Sequence, residues 1–128
     1  MSETIEGTCH CGKVTVRVPA SAFGVIACHC GDCQKLHGNY FAMLAVDRGD
    51  VTWKGEASIR TYASSPKAKR TFCEHCGSRL AKDPVGSPKL LISVGLFERT
   101  LPKRIVKQVF AEAKPDWYDL PKDSVPSP

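Results

Sequence analysis

No stretch of the 128-residue sequence approaches the ~18 consecutive apolar residues that a membrane span requires. No convincing helix of about ten or more residues can be traced, although that is the usual globular length; the best candidate is one turn around Asp32 to Leu36. Aromatic residues make up only 8%, and none interleaves with a basic stripe of the kind that nucleic-acid-binding surfaces use. Met1 to Glu6 is acidic and lacks the basic and apolar regions of a signal peptide, so a cytoplasmic location is expected. With 42% hydrophobic and 24% charged residues the composition is that of an ordinary globular protein, which excludes long disorder.

What is present is short-period alternation. Val14, Val16 and Val18 alternate with polar residues, as in a half-buried strand. Tyr40 to Val46 is a continuous apolar run suited to a strand covered on both faces. Ile59 to Ala63, Lys89 to Val94 and Ile105 to Phe110 read as further strands, separated by Gly-, Pro- and Asp-rich turns. This pattern predicts an all-β domain, most simply two packed antiparallel sheets. The domain is expected over residues 1–120, with a Pro-rich flexible tail at 121–128. Trp53 and Phe72 are expected in the core, and Trp117 and Tyr118 are expected to pack the chain end over the sheet.

The unusual feature is cysteine. There are seven, an odd number that a pure disulfide framework cannot absorb. In a reducing compartment clustered thiols more often hold metal. They fall into Cys9-His10-Cys11-Gly12, Cys28-His29-Cys30-Gly31-Asp32-Cys33 and Cys73-Glu74-His75-Cys76-Gly77. Zinc takes four ligands in a tetrahedron, so seven thiolates divide naturally into four and three. The most economical division joins Cys9, Cys11, Cys73 and Cys76 in a closed structural site. Cys28, Cys30 and Cys33 then hold a second zinc with one open position, the mark of a catalytic site. Spacing alone leaves other partitions open, including Cys9 and Cys11 with two cysteines of the triplet. A histidine could also complete the triplet as a second structural site. His29, between two ligands in a tight loop, points away from their metal, so His37 is the better of the two. Cys73 and Cys76 have redox-motif spacing, but no helical pattern follows them.

These clusters resemble the motifs of a known family. Gly7-Thr8-Cys9-His10-Cys11-Gly12-Lys13-Val14, Cys28 through Gly38, and Arg70-Thr71-Phe72-Cys73-Glu74-His75-Cys76-Gly77-Ser78 are similar to the three motifs of the glutathione-dependent formaldehyde-activating enzyme family, which also includes centromere protein V. The likeness extends through Gly95 to Lys114-Pro115-Asp116-Trp117-Tyr118. It implies a zinc-binding β-tent fold of mostly antiparallel strands with zinc knuckles. It also implies two zinc ions per chain: a structural one on Cys9, Cys11, Cys73 and Cys76, and a catalytic one on Cys28, Cys30 and Cys33. The implied activity is a carbon–sulfur lyase reaction, the addition of glutathione or another small thiol to formaldehyde or a similar electrophile. The chain is shorter than the founding enzyme and has Gln108 where a histidine is expected; both departures bear on the substrate more than on the metal sites.

Three thiolates make zinc a weak Lewis acid but a good partner for a soft fourth ligand such as a thiol, held there as the nucleophilic thiolate. His37 is the candidate for handling the proton, and Lys35 and Arg70 are candidates for pairing with the carboxylates of a glutathione-like substrate. The rival class is a non-catalytic zinc module that binds protein or nucleic acid, favoured by the formal charge of +5. Against it, the basic residues are scattered, the densest groups being Lys67, Lys69 and Arg70, and Lys103, Arg104 and Lys107. Counting seven thiolates and two zinc ions reduces the balance to about +2, which weakens the nucleic-acid reading further.

Overall fold

The computed structural model describes residues 3–22, 24–97, 104–121 and 126–127. The chain runs through β1 (Thr4–Thr8), β2 (Thr15–Pro19), β3 (Val25–Cys28), α1 (Gly31–His37), β4 (Phe41–Asp47), β5 (Thr52–Lys54) and β6 (Ile59–Ser65). It continues through β7 (Ala68–Cys73), β8 (Arg79–Pro84), β9 (Lys89–Ser93), β10 (Ile105–Val109) and the two-residue β11 (Pro126–Ser127). Short 3-10 turns fill several of the connections.

The strands form a three-stranded sheet, β1-β2-β5, and an eight-stranded sheet in the order β11-β10-β3-β4-β9-β8-β7-β6. The expectation of purely antiparallel sheets holds except at one edge, where β10 runs parallel to both β3 and β11. Tight turns force neighbouring strands antiparallel, but β10 meets β3 after a separation of most of the chain, and a long connection permits either direction. The proposed boundary at residue 120 adjoins residues 122–125, which lie outside the description, as does Lys103 of the second basic group.

Period two decides what each face of the large sheet carries. One face presents Val25, Leu44, Val46, Ala81 and Ile92 to Val16 and Val18 of the small sheet, and this is the main core. Leu44 and Ile92 are fully buried, each worth about 1.5–3 kcal/mol in removed apolar surface. The opposite face carries Cys28, Phe41 and Met43, with Leu91 and Val109 packed at the margin and α1 set beside them through Cys33. β4 lies between β3 and β9 and is buried towards both sides, which explains its unbroken apolar run.

Six of the eleven strands among the described residues, β1, β3, β5, β7, β8 and β11, escaped the sequence pattern. β5 has three residues, too few for a period to show. β7 reads as Ala-Lys-Arg-Thr-Phe-Cys, and its inward positions include Arg70, only 4% exposed, where alternation would lead one to look for a hydrophobe. Trp53 packs between two clusters as a half-buried residue. Phe72 is half-buried beneath the Arg79 guanidinium, 5.7 Å from its ring centroid. Gly55 admits no substitute: its φ is +81°, and a Cβ there would lie 1.9 Å from the Lys13 carbonyl oxygen, where β5 passes the first cysteine loop.

Candidate metal centres

The first cysteine pair sits in the tight loop between β1 and β2, closed by Cys9 N–H to Val14 O (3.0 Å) and Gly12 N–H to Cys9 O (3.0 Å). The second pair sits between β7 and β8, in a loop closed by Gly77 N–H to Cys73 O (2.8 Å) and Cys73 N–H to Ser78 O (3.0 Å). The backbone N–H of His10 donates to Ser78 Oγ at 2.9 Å and ties the two loops together. The four sulfur atoms of Cys9, Cys11, Cys73 and Cys76 lie within 4.8 Å of one another. Cys9 and Cys11 Sγ are 3.6 Å apart, and Cys11 and Cys73 Sγ 3.7 Å. Two sulfurs bound tetrahedrally to one zinc at ~2.3 Å would stand about 3.8 Å apart. The donor set and its spacing therefore fit a closed zinc site.

The thiols are already polarised. Cys76 is pulled down to about 5, first by the Ser78 side chain, whose Oγ is 3.2 Å from the sulfur, and then by the Ser78 backbone. At Cys11 the Lys13 backbone N–H favours the thiolate, but desolvation and hydrogen bonds shared with Cys9, Cys76 and Cys73 push the thiol up to about 11.

The triplet is built by the end of one strand and the start of one helix. Cys28 closes β3, Cys30 caps α1 and accepts from Cys33 N–H at 3.4 Å, and Cys33 lies in the first turn. Gly38 ends the helix in the left-handed conformation (φ 88°), its N–H donating to Gln34 O at 2.9 Å. The three sulfurs also lie within 4.8 Å of one another, and no histidine or carboxylate among the described residues joins the group. Both groups can hold zinc. The partition that would combine Cys9 and Cys11 with the triplet is excluded, because those two meet Cys73 and Cys76.

The neighbours of the triplet are cations. Arg70 donates from both terminal nitrogens to Cys33 Sγ, at 3.8 and 3.7 Å. The hydrogen bond with Cys33, backed by the Cys30 contacts and the charge of Lys82, draws Cys28 down to about 5 despite desolvation. The same contact, together with burial, pushes Cys33 up, with Arg70 opposing.

His37 stacks on Phe41, centroids 4.3 Å apart and planes at 6°, and does not belong to the sulfur group. Burial first, then the charges of Arg70 and Arg79, lower its pKa to about 4. Lys35 is exposed on α1. Arg70, a candidate for pairing with a substrate carboxylate, is buried, so the densest basic group does not form a continuous surface patch.

His29 follows the last residue of β3, and its side chain leaves the sulfur group. It is fully buried, with Nε2 2.6 Å from Gln108 Oε1 and its ring against Tyr40 (5.4 Å) and Tyr118 (6.1 Å). The unexpected glutamine thus has a partner. Gln34 donates to His29 O at 2.8 Å and Ala113 O at 2.6 Å, tying α1 to the chain after β10. Of the two late aromatics only Tyr118 packs inward; Trp117 is 68% exposed. The Arg70–Cys33 and His29–Gln108 contacts span 37 and 79 residues, and no local signal announces either.

Comparison with known proteins agrees with this geometry. The profile described as "glutathione-dependent formaldehyde-activating enzyme" matches residues 4–113. An uncharacterized lyase of Schizosaccharomyces pombe is 28% identical over 116 residues, covering 90% of this chain and 84% of that protein. A Halomonas elongata protein, provisionally named a glutathione-dependent formaldehyde-activating enzyme, is 27% identical over 126 residues, covering 91% of this chain and 80% of the other. The crystal structure of a Rhodobacter sphaeroides protein superposes with a TM-score of 0.61 at 23% identity, over 77% of this chain and 92% of that one, which supports the fold. With its match extending across both sulfur groups, the chain belongs to the glutathione-dependent formaldehyde-activating enzyme family.

Proposed function

We propose that the chain holds two zinc ions and joins a small thiol, glutathione or one like it, to formaldehyde or another small electrophile. The observation that carries this reading is the contrast between the two sulfur groups: four sulfurs close one site, while the other offers three. Cys9, Cys11, Cys73 and Cys76 would hold the structural ion, and Cys28, Cys30 and Cys33 the catalytic one. Zinc on three thiolates, when bound, supplies a soft cationic centre that favours a thiolate over a thiol.

The chain's own residues shape the rest. Arg70 and Lys82 set a positive field around the triplet, and it favours an anionic thiol over a neutral one. In the reaction the thiol S–H bond breaks, an S–C bond forms at the carbonyl carbon, and the C=O π pair takes the proton at oxygen. Burial first, and then the charges of Arg70 and Arg79, keep His37 uncharged at neutral pH, so an imidazolium acid is not available there. As a neutral ring, His37 can accept a proton at one nitrogen while donating from the other. The cleavage direction uses the same steps in reverse.

Thiols add to formaldehyde without a catalyst, so the test is a comparison. Zinc-loaded wild-type and Cys30→Ser proteins are mixed with glutathione and formaldehyde, and the hydroxymethyl adduct is followed by NMR. Wild type is expected to exceed the buffer rate, and the variant to match it; a wild-type rate equal to background overturns the activity. In parallel, metal content should fall from two zinc ions per chain to one in Cys30→Ser with the fold retained. Loss of the fold, or unchanged zinc, would reject the four-plus-three division.

A further inference from the structure

Arg70 presents a charge problem. Its side chain is buried, 4% exposed, on an inward position of β7. Its hydrogen bonds both go to Cys33 Sγ, and Nε has no partner among the described residues. No carboxylate pairs with it among those residues, and its register neighbour on β8 is another cation, Lys82. The Phe41 ring lies beneath it, 5.9 Å from the guanidinium carbon. A buried cation needs a compensating anion, or its lost hydration destabilises the fold by several kcal/mol. The group positioned to serve is the sulfur of Cys33.

The complementary problem lies on the other side. Three thiolates around a dication leave one surplus negative charge in a largely buried setting, and one guanidinium cancels it. We propose that Arg70 is the positioning residue of the three-thiolate centre. Its forked N–H groups orient Cys33 Sγ towards the other two sulfurs, and its charge neutralises the loaded site. This rests on the three-thiolate reading above. Hydrogen bonding to a ligand sulfur also withdraws electron density from it. Cys33 is thereby a poorer nucleophile towards the electrophilic substrate than an incoming thiol, so the ligand is spared alkylation. β7 connects the two centres: it carries Arg70 and ends at Cys73, so the four-sulfur site anchors the strand that delivers the guanidinium.

The test uses full-length wild type, Arg70→Met and Arg70→Lys, each loaded with zinc or cobalt. Chelator competition counts the ions and ranks their affinities, and the sulfur-to-cobalt charge-transfer band reports electron density on the thiolates. Arg70→Met is expected to keep one ion and to bind the second about 10–100-fold more weakly, the usual cost of losing such an outer contact. Its band moves to lower energy, because sulfur relieved of its hydrogen bonds gives up electrons more readily. Arg70→Lys keeps the charge but not the fork and should recover part of the affinity. Wild-type second-site affinity and an unshifted band in Arg70→Met overturn the proposal and leave the two-zinc reading standing. A wild type that binds only one ion overturns both. Should Arg70→Met lose the first ion as well, and so be unfolded, Arg70→Lys decides: weakened second-site binding with a shifted band supports the role, and wild-type values of both reject it.

Discussion

At the residue scale, neighbouring side chains divide their tasks by which face of a strand or helix they leave. Cys28 and His29 are adjacent, yet one joins the sulfur triplet while the other is buried against Gln108 and Tyr118. That His29 turns from the triplet was legible from its place between two ligands in a tight loop, whereas its partners were not. His37 illustrates the reverse case, in which position along the chain is a poor guide. Near the triplet in sequence, it stacks on Phe41 outside the sulfur group. Burial and the two arginines hold its folded pKa near 4 against an ordinary 6.5. The folded state therefore prefers the neutral ring: the associated stability is complete above pH 6.5 and disappears as the pH falls through 4. Allowing for partial solvent exposure, the contribution is about 1 kcal/mol. Replacing the ring with an uncharged aromatic, His37→Phe, should reduce the loss of melting temperature between pH 6.5 and 4 relative to wild type. An identical decline in both proteins would show that the His37 charge has no part in it.

At the element scale, the strands are short, and what fixes them is where their ends are tied. β5 reaches the first cysteine loop only because Gly55 lets the backbone turn through positive φ against the Lys13 carbonyl. Gly55→Ala combines left-handed strain with a clash against main-chain atoms that cannot move aside. We expect it to destabilise the protein by at least about 2 kcal/mol, lowering the melting temperature by roughly 8 °C. A thermal melt indistinguishable from wild type would mean that the loop yields more readily than its geometry implies. α1 shows the same economy of parts. Cys30 is both its cap and a member of the triplet, and Gln34, one turn on, ties it to the segment after β10. The turn foreseen at Asp32 to Leu36 lies inside this seven-residue helix.

At the scale of the whole molecule, the two sulfur groups are related asymmetrically. The four-sulfur group joins the β1–β2 loop to the β7–β8 loop, more than sixty residues apart. The triplet is local, spanning six residues from the end of β3 into α1. Loss of the local centre should therefore leave the fold standing, whereas loss of the long-range one should disturb both. Cys76→Ser is expected to shed the first zinc, lower the melting temperature by roughly 10 °C or more, and weaken zinc binding at the triplet several-fold through displaced Arg70. Zinc titration of this variant, beside Cys30→Ser, checks the direction of the dependence. Unimpaired binding at the triplet in Cys76→Ser would rule out coupling through β7.

The sequence by itself determined the strand-rich character, the clustering of the cysteines in three short loops and the turn of His29 away from the triplet, while spacing left open which clusters meet, and the tertiary structure brings Cys9 and Cys11 to Cys73 and Cys76. Each of the first three follows from a local rule: period-two alternation, close spacing within a loop, and the crowding of a residue set between two ligands. It did not determine the parallel pairing of β3 with β10, the burial of Arg70 or the partner of Gln108, all of which join residues far apart in the chain. An arginine read in sequence belongs to the surface, since hydration is the ordinary resting place of its charge. Only the tertiary structure, by bringing the sulfur of a distant helix against β7, supplies a buried place where that charge has a partner.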